Sequence, residues 1–243
     1  MRIFLLSVLL VFLLSTTAVS QEPSREQKLQ KIDDLNSQIK SLEADVLLPA
    51  AKDFKQAEKE GFEVFRLMPR ERYDRKLTVQ GGGAYYSFTT KSHDYQKIAQ
   101  ISLDQNYLSV GFAGADYGFI ADLGNIALGA VSTETTGVTF LANYKPPTKE
   151  PEIRVEQRKA FNYEAENFTY TSRLPVSFEK TYALRAISFD RADVLVAFKI
   201  HRKDTDGSLI IFWKLLENFE KPVLIRAQQS ASTAGTDFVS AAN

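Results

Sequence analysis

The hydrophobic period of this chain changes once, and that change limits what it can fold into. Between Gln21 and about Leu48, apolar residues fall at Leu29, Ile32, Leu35, Ile39, Leu42 and Val46. From Ile32 their spacings run 3, 4, 3, 4, the heptad rhythm of a coiled-coil seam. From Lys76 on, short apolar runs arrive roughly every 8 to 12 residues between turn formers, the pattern of a β-sandwich or open barrel. Strands do not alternate with long helices, which argues against a parallel α/β sheet. The expected fold is mainly β: an antiparallel β-sandwich or open barrel, preceded by an N-terminal α-helical arm of one short coiled-coil-like helix and a second short helix.

Ser24 is placed to cap the first helix, and Pro49 interrupts it. A helix of about two and a half heptads is marginal alone and has to pack, either on its own β domain or as the seam of a dimer or trimer. The second helix, Ala50 to Glu60, stops at Gly61, a residue suited to a left-handed cap. Gly61 to Leu67 alternates toward a strand or turn, and Pro69 to Asp74 is a charged connector. Strands are expected at Lys76 to Gln80 and Ala84 to Thr90, flanking Gly81-Gly82-Gly83. Ile98 to Leu103 and Tyr107 to Phe112 follow, with a hairpin turn at Asp104 to Asn106. Tyr117 to Leu123 reads as strand or loop. Gly137 to Tyr144, Ile153 to Phe161, Phe168 to Arg173 and Thr181 to Asp190 complete the series. The strongest hairpin joins Asp193–Arg202 to Ser208–Trp213 across Asp206-Gly207, a pair favoured in type I′ turns. Lys214 to Phe219 is expected to turn helical before Pro222.

The ends carry a separate message. Met1-Arg2 is followed by Ile3 to Leu14, apolar but for Ser7, and then by Ser15 to Ser20. Ala18 and Ser20 fit the small-x-small rule for signal-peptide cleavage before Gln21. This twelve-residue segment falls short of the roughly 20 apolar residues a spanning helix needs. The alternative is that residues 3–19 stay as an anchor. No Cys follows, so a lipid-anchored form is excluded. The domain plan is a signal peptide at 1–20, the helical arm at 21–60, a β-rich domain at 61–225 and a polar tail at 226–243, expected to be disordered. The protein is expected to be secreted or periplasmic, with no integral span after cleavage.

Composition narrows the function classes. The chain has 30 bases and 30 acids, and removing residues 1–20 deletes only Arg2. A balance this close to neutral argues against a nucleic-acid partner. The absence of Cys excludes disulfides, thiol nucleophiles and thiolate metal sites. With two histidines, His93 and His201, no metal is expected, and both are read as surface residues. No cofactor is expected.

Four motifs bear on chemistry. Gly81-Gly82-Gly83 lacks the Lys-Ser/Thr and helix of a phosphate loop, and reads as a bulge or close backbone approach. Gly111 to Phe119 is the most unusual stretch: three glycines, three aromatics and one acid in a tight loop after a strand. Aromatic faces beside a carboxylate suit a sugar site. Its pocket candidates are Tyr85, Tyr86, Phe112, Asp116, Tyr117 and Asp122. Asp204 to Ser208 lacks the remaining ligands of a calcium loop. Glu164, Glu166, Asp190 and Asp193 are further candidates for a hydrolytic carboxylate pair, a signal with almost no specificity. The sequence favours an exported, non-enzymatic binding or structural β module with an extracellular glycan or protein ligand. Its seam would form a homo-oligomer through Leu29, Ile32, Leu35, Ile39, Leu42 and Val46. The competing readings are a carbohydrate-active or other carboxylate-dependent hydrolase near Asp116 and Asp122, and a membrane-surface protein held by its arm.

Overall fold

The computed structural model describes residues 22–226, residues 94 and 113 apart. The expected signal peptide and almost all of the polar tail lie outside the described residues. The chain divides at Lys40/Ser41 into two compact units.

Helix α1 runs from Arg25 to Leu47. A reciprocal capping box starts it: Gln27 N–H donates to Ser24 Oγ at 3.2 Å, and Ser24 N–H to Gln27 Oε1 at 2.8 Å. Helix α2, Ala51–Glu60, ends at Gly61, which takes φ 76° as the cap requires. Its third residue, Asp53, accepts from Ala50 N–H at 3.0 Å and pairs with Arg202, tying the helix to the sheet behind it.

The remaining elements are β1 (Glu63–Leu67), α3 (Arg70–Tyr73), β2 (Tyr85–Tyr86), α4 (Tyr95–Ile98), β3 (Ile101–Asp104), β4 (Tyr107–Ser109), β5 (Tyr117–Asp122), α5 (Thr139–Asn143), α6 (Glu150–Lys159), β6 (Tyr163–Ala165), β7 (Phe168–Thr171), β8 (Arg173–Pro175), β9 (Thr181–Ser188), β10 (Ala192–Lys203) and β11 (Leu209–Phe219). They form two antiparallel sheets, one ordered β1-β11-β10-β9-β5-β7-β6 and the other β2-β3-β4-β8. Neither sheet closes on itself, so the fold is a sandwich and not a barrel.

The larger sheet is buried on both faces. Phe65, Leu184, Phe198 and Ile211 point into the space between the sheets, where they meet Phe88, Leu103 and Leu108. Phe119, Ala183, Leu195 and Phe212 point the other way, onto a layer that includes Ala57 of α2, Leu141 of α5 and Ile153 of α6. Two-sided burial explains why β9 to β11 read as near-continuous apolar runs rather than clean alternations.

Several expected strands take other forms. Residues 76–80 are a turn. All three glycines at 81–83 have positive φ, and a Cβ on Gly82 would lie 2.3 Å from the Tyr73 carbonyl carbon, so the close backbone approach is real. Residues 137–144 contain α5 because Val138 and Leu141, three apart, both face the core. Residues 153–161 contain most of α6: Ile153 and Ala160, seven apart, are buried while Arg154, Arg158 and Lys159 between them face out. Residues 214–219 continue β11 with a bulge at Leu216 instead of turning helical. The β10–β11 connection is not type I′. Gly207 N–H bonds Asp204 O at 2.9 Å, and only Gly207 has positive φ. This is a three-residue loop with a left-handed glycine. The two-residue turn with positive φ at both positions is Glu166-Asn167, between β6 and β7.

Candidate functional site

The chain leaves the smaller sheet after β4 and enters the larger one at β5. Residues 111–116 make that crossing. Gly111 has φ 81°, and a Cβ there would come 2.7 Å from Tyr117 Cα, so the turn is specific to glycine. Helix α6 fastens the loop from one side. Arg154 Nη1 donates to Gly114 O at 2.7 Å, and Gln157 Nε2 donates to Gly114 O and Asp116 O at 3.0 Å each.

Between this loop, α6 and the start of β8 lies a cleft of about 510 Å³. Phe112, Asp116 and Tyr117 line it, so half of the six sequence candidates converge. Tyr85 stands behind them, its ring edge-on to Phe112 at 5.4 Å. Tyr86 does not take part: it is buried between the sheets, stacked on Phe65 at 3.8 Å. Asp122 does not either. Six residues of extended chain separate it from Asp116, about 20 Å at the rise of a strand. It caps the Gly124 N–H at 2.9 Å and pairs with Lys180.

Charge in the cleft comes from residues the sequence reading passed over. Arg154, Arg158 and Arg173 line it together with Phe161, which is 70 % exposed. Arg154 is held by Glu150 Oε1 and Gln157 Oε1 at 3.0 Å. Arg173 lies 4.2 Å over the Tyr107 ring and 3.9 Å from Asp104, which fixes its plane while leaving donors free. Arg158 makes no side-chain hydrogen bond among the described residues. Asp116 is the one carboxylate among the lining residues, and Arg191 pairs with it. Burial pushes the Asp116 carboxyl above its ordinary value, against the pull of Arg191. The cleft is therefore net basic in a chain whose charges balance overall.

No family model, no curated protein and no solved structure matches this chain. Its chemistry has to be read from its own residues.

Tyr117 turns its hydroxyl to Tyr144 at 2.8 Å, and Tyr144 donates to Glu156 Oε2 at 2.8 Å. Both phenols are pushed up by burial and remain neutral. They brace α6 against β5 and present no nucleophile to the cleft. A glycosidase needs two carboxyl groups within about 10 Å across a substrate; the cleft wall offers one, already paired. Of the other four acids considered, Glu166 sits in the β6–β7 turn and three are engaged elsewhere. Glu164 accepts from Thr169 at 2.8 Å, Asp190 from Leu224 N–H at 3.2 Å, and Asp193 is buried with Arg185. Neither histidine is an ordinary surface residue. His201 stacks on Phe212 at 4.3 Å, and half-buried His93 has Nδ1 2.8 Å from Tyr85 O. Among the described residues, no three His, Asp or Glu gather as metal ligands.

Proposed function

We propose that this protein is an exported, non-enzymatic binding module whose cleft beside α6 takes an acidic glycan. The observation that carries the reading is that Arg154, Arg158 and Arg173 line a cleft whose one carboxylate, Asp116, is already paired with Arg191. Guanidinium groups match carboxylate and sulfate oxygens in a planar fork. Phe112 and Phe161 supply the ring faces on which a sugar stacks. Export by the segment at 1–20 would deliver the module to where acidic polysaccharides occur.

Calorimetric titration of the mature chain with polygalacturonate, a sulfated glycan and a neutral glucan tests this. The acidic chains should bind, and added salt should weaken them. Arg158→Ala and Arg173→Ala should each lower affinity about tenfold, the loss of one charge-assisted contact. Equal binding of the neutral glucan, or no binding at all, overturns the proposal. Sequencing of the exported protein checks the delivery route, with Gln21 expected as its first residue.

A further inference from the structure

The exposed stripe of α1 carries an inference independent of the glycan reading. Leu29, Ile32, Leu35, Ile39, Leu42 and Val46 are each 40–65 % exposed, although each is large and apolar. The spacing allows one heptad frame. Ile32, Ile39 and Val46 occupy position a, Leu35 and Leu42 occupy d, and Leu29 falls on the flank at e. β-Branched residues at a with leucine at d are the combination that favours two parallel strands over three or four.

Other features select a second copy as the occupant. In a parallel pair, the free flanking g-to-e contact would join Lys31 to Asn36, so no like charges oppose there. The end of the helix nearest the sandwich uses Glu43 at e and Leu47 at b for its own fold, and leaves the a and d positions uncovered. Thr78 Oγ1 donates to Glu43 Oε2 at 2.7 Å, and the Leu47 side chain lies over Gly83. Leu42 and Val46 stay 65 % and 44 % exposed beside that contact. A lipid surface fits less well. The helix holds four bases and five acids, whereas helices that lie on anionic membranes carry a basic polar face.

We infer that α1 pairs with α1 of a second chain as a short, parallel, two-stranded coiled coil. Five core layers from Ile32 to Val46 would make the pairing weak and concentration-dependent.

Sedimentation velocity of the mature chain over a concentration series tests the stoichiometry. The expected result is a mass that rises from one chain to two, and stays at one in the double variant Leu35→Lys/Leu42→Lys. The β-sheet circular dichroism of that variant should be unchanged, which separates lost pairing from lost folding. Orientation is read by cross-linking. The chain has no cysteine, so Arg25→Cys introduces a single thiol at an a position. In a parallel pair two such thiols share a layer, and oxidation should give a covalent dimer. In an antiparallel pair centred on Ile39 they stand roughly 40 Å apart along the helices and should not link. Adding the two lysines to Arg25→Cys should abolish the cross-link. A single-chain mass at every concentration, a trimer, or a dimer that resists the Arg25→Cys cross-link overturns the inference. So does flotation of a monomeric chain with vesicles of anionic phospholipid.

Discussion

Arg185 stands in the middle of β9 with 2 % of its side chain exposed, and Asp193 of β10 meets it with 1 % exposed. The pair is bidentate, at 2.9 Å from Nε to Oδ1 and 2.7 Å from Nη2 to Oδ2. Nη1 donates to the Leu141 and Tyr144 carbonyls at the end of α5, and the guanidinium lies 3.7 Å over the Phe219 ring. One arginine thus pins the helical layer to the large sheet. Asp193→Ala would leave a buried, uncompensated cation, and urea unfolding should show a loss of about 3–5 kcal/mol. The paired replacement Arg185→Met/Asp193→Leu should recover most of that loss, since it removes both desolvated charges. His93 makes a second residue-scale prediction. Burial pushes its imidazole down to about 4, against the Tyr85 and Gly83 carbonyls, which favour the charged form. A base whose folded pKa is depressed binds its proton more readily when unfolded. Its contribution is therefore full above about pH 6.5 and is lost as pH falls toward 4. Unfolding free energy measured from pH 7.5 to 4 should fall less steeply in His93→Gln than in the parent.

At the scale of elements, what was legible in the sequence follows burial. Helix α1, helix α2 with its Gly61 stop, and the long strands β9 and β10 stand where the sequence puts them, because one period or one unbroken apolar run dominates each. The sequence pattern over α6 points to a strand. Ile153, Val155 and Phe161 alternate with charges, yet only Ile153 of those three is buried; Val155 and Phe161 are exposed. The signal for a helix lay in the charges: Glu150 pairs with Arg154 at 3.0 Å, four residues on, and Glu156 with Lys159 at 2.8 Å, three residues on. A strand there leaves Arg154, Gln157 and Arg158 out of view, and with them the α6 wall of the candidate cleft. The Gly111 to Phe119 stretch was legible as a site because glycines and aromatics crowd a short segment. Its extension to Asp122 was not, because Tyr117 to Leu123 reads equally as strand or loop, and only a strand holds Asp116 and Asp122 at opposite ends. The β10–β11 turn shows the same limit. Asp206 and Gly207 suit two turn types, and the side chain of Asp206 decides by accepting from Ser208 N–H at 2.9 Å and from Tyr73 Oη at 2.7 Å.

For the whole molecule, the two proposals meet in one measurable quantity. A single cleft with two arginines, Arg158 and Arg173, left to contact a ligand binds one acidic residue of a glycan weakly, and salt screens it further. Two clefts carried by one α1 pair would make the second contact with a long polysaccharide intramolecular. Linked binding of this kind raises apparent affinity by about 10²–10⁴-fold without any new contact, provided the span between sites is reachable. The double variant Leu35→Lys/Leu42→Lys keeps every cleft residue and removes only the pairing. On a surface coated densely with polygalacturonate, the parent should therefore dissociate far more slowly than the double variant. With a short acidic oligosaccharide that fills one cleft, the two should bind alike. Arg158→Ala should weaken both formats, because it acts on the cleft itself. If the parent and the double variant dissociate from the dense surface at the same rate while the parent is a dimer in solution, each cleft works alone and the pairing of α1 serves another end.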